Sequence, residues 1–343
     1  MKNKLIEFIP KYDPISVVSV LSETIDWGSN FTNIKKYRET AKSYGENINV
    51  VILDTGASPT HPDLKDNFKG YEDLTGNGDP FDRLGHGTHC SGIIGSCQND
   101  IGVIGVAPKC NLYSGKVLDN NGLSLPDYSW IIKGIEWAID MKADIINMSL
   151  GSPIGVPEKM QKLISESVKK GIIFVAASGN SQRQQIDFPG RLEEVISVAA
   201  MDKNGNLASY SNIGPGLDFV APGSDVYSTY LNDGYALSTG TSMASPFLAG
   251  VCALMLAYHR NGEEHKTPIN NYQDAIDHIK KFEKGQIIQL SSGDGIGILD
   301  FGHPEMNIDV TMQQVDKILN KKPFYIRFYN FINNILKGRK NER

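Results

Sequence analysis

From Asn49 onward the chain repeats one unit: a short β-branched run that stops in a loop of small residues, then a longer segment with helical spacing. The runs are NVVILDTG (49–56), NLYSGKVL (111–118), ADIINMSLG (143–151), GIIFVAASGN (171–180), EVISVAAM (194–201) and LDFVAPG (217–223). Strands that are nearly continuous in apolar residues have both faces covered, as in a parallel sheet crossed by helices. The expected class is therefore α/β, with a mostly parallel central sheet and helices on both faces. Two connecting helices can be read directly. SLPDYSWIIKGIEWAIDM places Ile131, Ile135 and Ala138 on one stripe, widened by Ile132 and Ile139, after a start at Pro126 and Asp127. PEKMQKLISESVKKG closes on two lysines and Gly171, a helix C-terminus pattern. In doubly wound sheets the working groups gather at the carboxyl ends of the strands, and here those ends read DTG, SLG and SGN.

At ~150 residues per domain the length would divide in two, but the repeating unit reads as one domain over 23–306, preceded by an extension (1–22) and followed by a tail (307–343). A formal charge of −5 leaves no basic excess for phosphates, so nucleic acid is not an expected partner. Four cysteines are too few for a disulfide scaffold and match no zinc spacing, so free thiols are expected. The start of the chain offers only LIEFI, broken by Glu7 and followed by Pro10, which falls short of a signal-peptide core. The longest strictly apolar run, Val251 to Tyr258, is less than half of the ~18 residues a membrane span needs. These features lead to an expected cytoplasmic location. The tail carries eight Lys or Arg from Lys317 onward against one acid, Glu342, with aromatic and aliphatic residues interleaved. Two readings stay open for it: a helix on a membrane surface, or a terminal helix packed on the body or on a second copy in a homodimer.

Four motifs carry chemistry. HGTHCSG (86–92) has two histidines three apart followed by small residues. They read either as a metal pair without an evident third ligand, or as one general base on a helix that packs closely through Gly87, Ser91 and Gly92. GTSMASP (240–246) puts Ser242 where an extended YAL meets a helical segment, so a nucleophile there would sit at a helix N-terminus that favours developing negative charge; the bland reading is an N-cap serine. Pro246 is expected within the first turn. DTG (54–56) sets a carboxylate at the end of the most apolar strand. An aspartic protease would need two such carboxylates, and there is one DTG, so orienting a histidine is the simpler role. AASGN (176–180) supplies Asn180, whose amide could donate to an oxyanion.

Asp54, His86 and Ser242 follow one another in the order Asp, His, Ser, which is that of subtilisin. With THPDL, QNDIGVIGVAP, YSWIIKGIEWAI, INMSLGSP, VAPG and STGTSMASP, the chain resembles the subtilisin-like serine proteases over about residues 27–303. The resemblance implies a serine endopeptidase in which Ser242 is the nucleophile, His86 the base and then acid, Asp54 the group that holds the imidazole, and Asn180 a donor of the oxyanion hole. It also implies that Ser149, Leu150 and Gly151 form the edge that pairs with extended peptide or unfolded-protein substrates. The loop from Asn180 to Phe188 looks about four residues shorter than in familiar subtilisins. Aligning back from Pro189 puts Asp187 at the floor of the specificity pocket, where it would select Lys or Arg; the other reading points it to solvent. Structural Ca²⁺ is implied as well, at a strong site of Asp63, the Asn99 side chain and the carbonyls of Cys97, Ile101 and Val103, with Glu23 as a sixth ligand. A weaker site would use Asp218 and the carbonyls of Gly190, Leu192 and Val195. The short extension is most similar to that of intracellular subtilisins, which block their own active sites with a Leu-Ile-Pro-Tyr motif. Here Phe8, Ile9, Pro10 and Lys11 stand in that place, differing at both ends, and a zymogen restrained by residues 1–22 is expected. Two competing readings are a dedicated leader peptidase that cleaves after basic residues and an esterase with a Ser242, Asp300, His303 order. A catalytically silent peptide-binding scaffold is a third, but it should have lost a catalytic side chain, and none is missing.

Overall fold

All six apolar runs become strands of one sheet. The computed structural model describes residues 5–9, 14–17, 22–260, 272–289 and 295–301, within a unit that spans Met1–Gly302. The expected tail helix over 307–343 lies outside the described residues. In chain order the strands are Ile6–Glu7 (β1), Ile15–Val17 (β2), Asn49–Asp54 (β3), Phe68–Asp73 (β4), Asn111–Lys116 (β5), Leu123–Ser124 (β6), Ile145–Met148 (β7), Ile173–Ala177 (β8), Val195–Met201 (β9), Phe219–Pro222 (β10), Val226–Thr229 (β11), Tyr235–Ser238 (β12), Glu283–Gln289 (β13) and Gly295–Leu299 (β14). The helices are Trp27–Phe31 (α1), Ile34–Ala41 (α2), His86–Gly95 (α3), Ser129–Asp140 (α4), Glu158–Val168 (α5), Thr241–Arg260 (α6) and Tyr272–Ile279 (α7).

The central sheet has seven strands in the order β10-β9-β8-β7-β3-β5-β4, and every pairing in it is parallel. Alternation divides the β3 side chains between two layers. Val51 and Leu53 join a core with Ile131 and Ile135 of α4 and Met160 and Ile164 of α5. On the other layer α6 runs against β7 to β10 and packs on α3. By length and apolarity α6 could cross a bilayer, but it is a core helix, buried from Thr241 to Ala257. β4 was not expected. It is an edge strand whose only large apolar residues are Phe68 and Tyr71, so it carries no buried-strand signature. α4 begins two to three residues later than its sequence suggests, because Tyr128 takes a left-handed conformation (φ +59°) and the Asp127 carboxylate accepts the Ser129 N–H ahead of the first turn.

Pro246 falls beyond the first turn of α6 and removes the N–H that would otherwise bond the Ser242 carbonyl. The Cys90 thiol donates to that oxygen instead, at 3.4 Å. All four cysteines are free and buried, which agrees with the expectation of reduced thiols. Beside the main sheet, β2 pairs antiparallel with β12, which pairs with β11, while β1 pairs antiparallel with β6. The N-terminal extension therefore adds a strand at two separate edges.

Candidate active site

Asp54 ends β3 with no solvent exposure, and its Oδ1 accepts both the Thr55 N–H and the ring Nδ1 of His86 at 2.7 Å. His86 is the first residue of α3. The carboxylate of Asp82 secures that end of the helix, since it accepts the N–H groups of Leu84, Gly85 and Thr88 together with the Thr55 and Thr88 hydroxyls. These are amides that a helix start leaves unpaired. Gly87 permits the close approach: a Cβ there would collide with the Gly56 carbonyl oxygen. Burial opposes charge on the His86 ring, but the neighbouring Asp54 carboxylate and its hydrogen bond outweigh it, so the ring pKa stands well above 6.5.

His89 does not join a metal pair. Its Nε2 lies 3.1 Å from the carbonyls of both Val226 and Ala236, and burial lowers its pKa to about 3. Cys90 links the two halves of the site, with its sulfur 3.9 Å from His86 Nδ1 and 3.4 Å from the Ser242 carbonyl. Burial raises its thiol pKa, so it is a packed neutral group.

Ser242 is the second residue of α6 and is 5% exposed; its hydroxyl donates to the Ser149 carbonyl at 3.1 Å. Asn180 is fixed by Thr241, whose N–H and hydroxyl both donate to Asn180 Oδ1, at 2.9 and 3.0 Å. The Asn180 amide nitrogen is thereby turned away from Thr241. A Cβ on Gly240 would lie 3.3 Å from Asn180 Nδ2 and 3.7 Å from the Ser242 nitrogen, so these two donors flank one small space beside the serine. Two such donors can hold an oxyanion. Asp300, required by the esterase reading, accepts from Asn33 Nδ2, and His303 lies outside the described residues.

Ser149, Leu150 and Gly151 continue from β7 beside this space, and the edge already holds a strand. The Gly151 N–H donates to the Phe8 carbonyl at 2.8 Å, the Phe8 N–H donates to the Gly122 carbonyl at 3.3 Å, and Ile6 and Glu7 pair with Ser124 and Leu123. Phe8 and Ile9 are both 2% exposed, and the Phe8 ring stands edge-on to Tyr128 at 5.0 Å. Further on, Ile15–Val17 pairs with Tyr235–Leu237, shortly before the Gly240–Ser242 turn. Pro10 and Lys11 lie outside the described residues.

Asp187 lies in a cavity of about 210 Å³ that Ser242, Asn180, Leu150 and Gly151 also line. Its Oδ1 accepts from the Arg183 guanidinium at 2.7 Å. Arg183 has no signature of its own in the sequence; only its spacing of four from Asp187 could have drawn attention. Thr241 and Asp82 were also missed, although both sit one to four residues from a catalytic candidate.

Of the residues named for the stronger cation site, Cys97 and Val103 contact Asp63, while the Asn99 side-chain oxygen accepts the Ile101 N–H at 3.2 Å. The 97–103 loop folds over Asp63, with the Cys97 N–H donating to the Asp63 carbonyl and the Val103 N–H to Asp63 Oδ2, which also accepts the Tyr235 hydroxyl. Asp63 is fully buried, yet its Oδ1 has no hydrogen-bond partner among the described residues. A buried carboxylate oxygen without a donor is what a hard cation would satisfy. Glu23 instead accepts the N–H groups of Asn99 and Asp100. At the second site Asp218 accepts from the Ser197 N–H and hydroxyl, and the Leu192 carbonyl accepts the Val195 N–H. No side-chain oxygen of this second site is buried without a partner among the described residues.

Residues 45–295 match the model of the subtilase family. Among curated relatives, the chain is 41% identical over 235 residues to the thermostable alkaline protease of Halalkalibacterium halodurans, covering 68% of this chain and 63% of that protein. It is 41% identical over 241 residues to subtilisin DY of Bacillus licheniformis, covering 69% of this chain and 86% of that protein. Against subtilisin E of Bacillus subtilis strain 168 it is 40% identical over 221 residues, 63% of this chain and 57% of that protein. The chain thus spans less than two thirds of the length of the first and third of these relatives.

Proposed function

The chain belongs to the subtilase family, and from that premise we propose that it is a serine endopeptidase acting on peptide or unfolded-protein substrates. The observation that carries the reading is the buried 2.7 Å contact between Asp54 and His86, which Cys90 links to the helix start that carries Ser242. Asp54 holds Nδ1–H of the ring, so Nε2 takes the Ser242 proton as Oγ attacks the substrate carbonyl. The negative charge that develops on the carbonyl oxygen is received by Asn180 Nδ2–H and the Ser242 N–H. His86 then passes its proton to the leaving amine, and a water activated by the same ring releases the acyl group. The extended substrate would add a strand at Ser149–Gly151, the edge that Phe8 fills.

The Gly151 N–H bond to Phe8 at that edge, with Ile6 and Glu7 paired alongside to Ser124 and Leu123, supports a restrained form, in which the extension competes with substrate until it is displaced or removed. Ca²⁺ would be held by Asp63, Asn99 and the carbonyls of Cys97, Ile101 and Val103, where it would offset the unpaired Asp63 charge and brace the loop. The test is incubation of purified full-length protein with and without a chelator, followed by mass spectrometry of its N-terminus. Wild type should lose the extension and Ser242→Ala should keep it. Equal trimming of the two would remove the basis for the assignment.

A further inference from the structure

The cavity beside Ser242 receives the side chain of the residue whose carbonyl is attacked, because the substrate edge and both oxyanion donors border it. Three ionisable residues line it: Glu7, which is exposed, and the pair Arg183 and Asp187. Asp187 is wedged between the two walls. A Cβ on Gly151 would come within 3.0 Å of its Cβ, and one on Gly179, which has φ +103°, would collide with its Oδ2. The carboxylate is therefore built into the pocket and does not swing to solvent; the Asp187 side chain is 9% exposed and that of Arg183 is 36%.

The guanidinium is equally placed by the fold. The Arg183 N–H donates to Asn212 Oδ1, the Arg183 carbonyl accepts the Ile213 N–H, and Arg183 NH2 reaches Asp187 Oδ1 at 2.7 Å. Its Nε is buried without a hydrogen-bond partner among the described residues. The pair as a whole carries no net charge, and its strong charge-assisted bond engages the carboxylate before a second cation arrives. A basic side chain entering the cavity would meet the same-sign guanidinium and an acid already paired.

We infer that Arg183 is a specificity-determining residue: it masks Asp187, so the pocket takes an uncharged side chain, and its removal would convert the pocket to one that takes Lys or Arg. This deepens the endopeptidase reading and rests on it for the meaning of the pocket. A small amidinium probe tests it without catalysis. Binding of p-aminobenzamidine to the full chain at pH 8 is followed by its fluorescence, for wild type, Arg183→Gln, Arg183→Lys and Arg183→Gln/Asp187→Asn. Arg183→Gln should bind at least ~10-fold more tightly than wild type, Arg183→Lys should stay near wild type, and the double variant should lose the gain. In peptides differing only at the cleaved residue, Arg183→Gln should raise the Arg-over-Leu ratio of kcat/KM by a similar factor. Equal amidine affinity in wild type and Arg183→Gln, or a gain that survives Asp187→Asn, would overturn the inference. Failure of the endopeptidase reading would show separately, as absence of peptide cleavage while the amidine titration still reports on the pocket.

Discussion

On the proposed restraint, replacing Phe8 by alanine should raise the activity of the intact chain without touching the candidate catalytic groups. The ring is 2% exposed and stands edge-on to Tyr128, while the backbone bonds of Phe8 to Gly122 and Gly151 do not depend on its side chain. Fully burying a Phe stabilises by ~1.5–3 kcal/mol, and an edge-on aromatic pair adds ~0.5–1.5 kcal/mol. Truncation should therefore weaken docking of the extension by about 2–4 kcal/mol, since the undocked extension leaves the ring in water. At a factor of ten per ~1.4 kcal/mol, the open fraction rises about 30- to 700-fold. The rise is capped at the activity of the trimmed protein. Initial rates on a fluorogenic peptide, with intact mass taken before and after to show that the extension is still attached, measure the effect. Rates within twofold of wild type on intact Phe8→Ala protein would refute the idea that this segment blocks the site.

Other consequences follow from the same geometry. Asn180→Ala should lower kcat by ~10²–10³ with little change in KM, because the lost donor acts on the oxyanion and not on the ground state; a KM effect alone would contradict its role. Only neutral His86 can accept a proton and Asp54 raises its pKa, so kcat/KM should be lost as pH falls and recover with a midpoint above 6.5. A midpoint at or below that value would mean the pair is not coupled as described. Chelation should lower the Tm of wild type but not of Asp63→Asn, with ~4 kcal/mol at stake when Ca²⁺ stands at a thousand times its Kd. Identical Tm values for wild type with and without chelator would exclude the site.

What could be read from the sequence was whatever local pattern encodes. The six buried strands announce themselves by continuous apolar runs, and Asp54, His86, Asn180 and Ser242 fall at strand ends or helix starts where backbone direction places them. β4 escaped because an edge strand needs no apolar face, and FKGYED reads as a loop. The start of α4 was misplaced because a left-handed Tyr128 has no sequence signature. Arg183 and Asp187 lie in a loop whose path is set by contacts with Asn212, Ile213 and Gly151, all distant in sequence, so neither of the two sequence readings of Asp187 included a partner. The pairing of Cys90 with the carbonyl left open by Pro246 is similarly visible only once α3 and α6 are packed.

The central claim is that Ser242 is a nucleophile activated by His86. It is tested most directly by labelling the purified protein with a small organophosphonate and locating the adduct by mass spectrometry in wild type, His86→Ala and His303→Ala. An adduct is expected on Ser242 in wild type and in His303→Ala, and none in His86→Ala. An adduct elsewhere, or one that survives His86→Ala and disappears with His303→Ala, would contradict it.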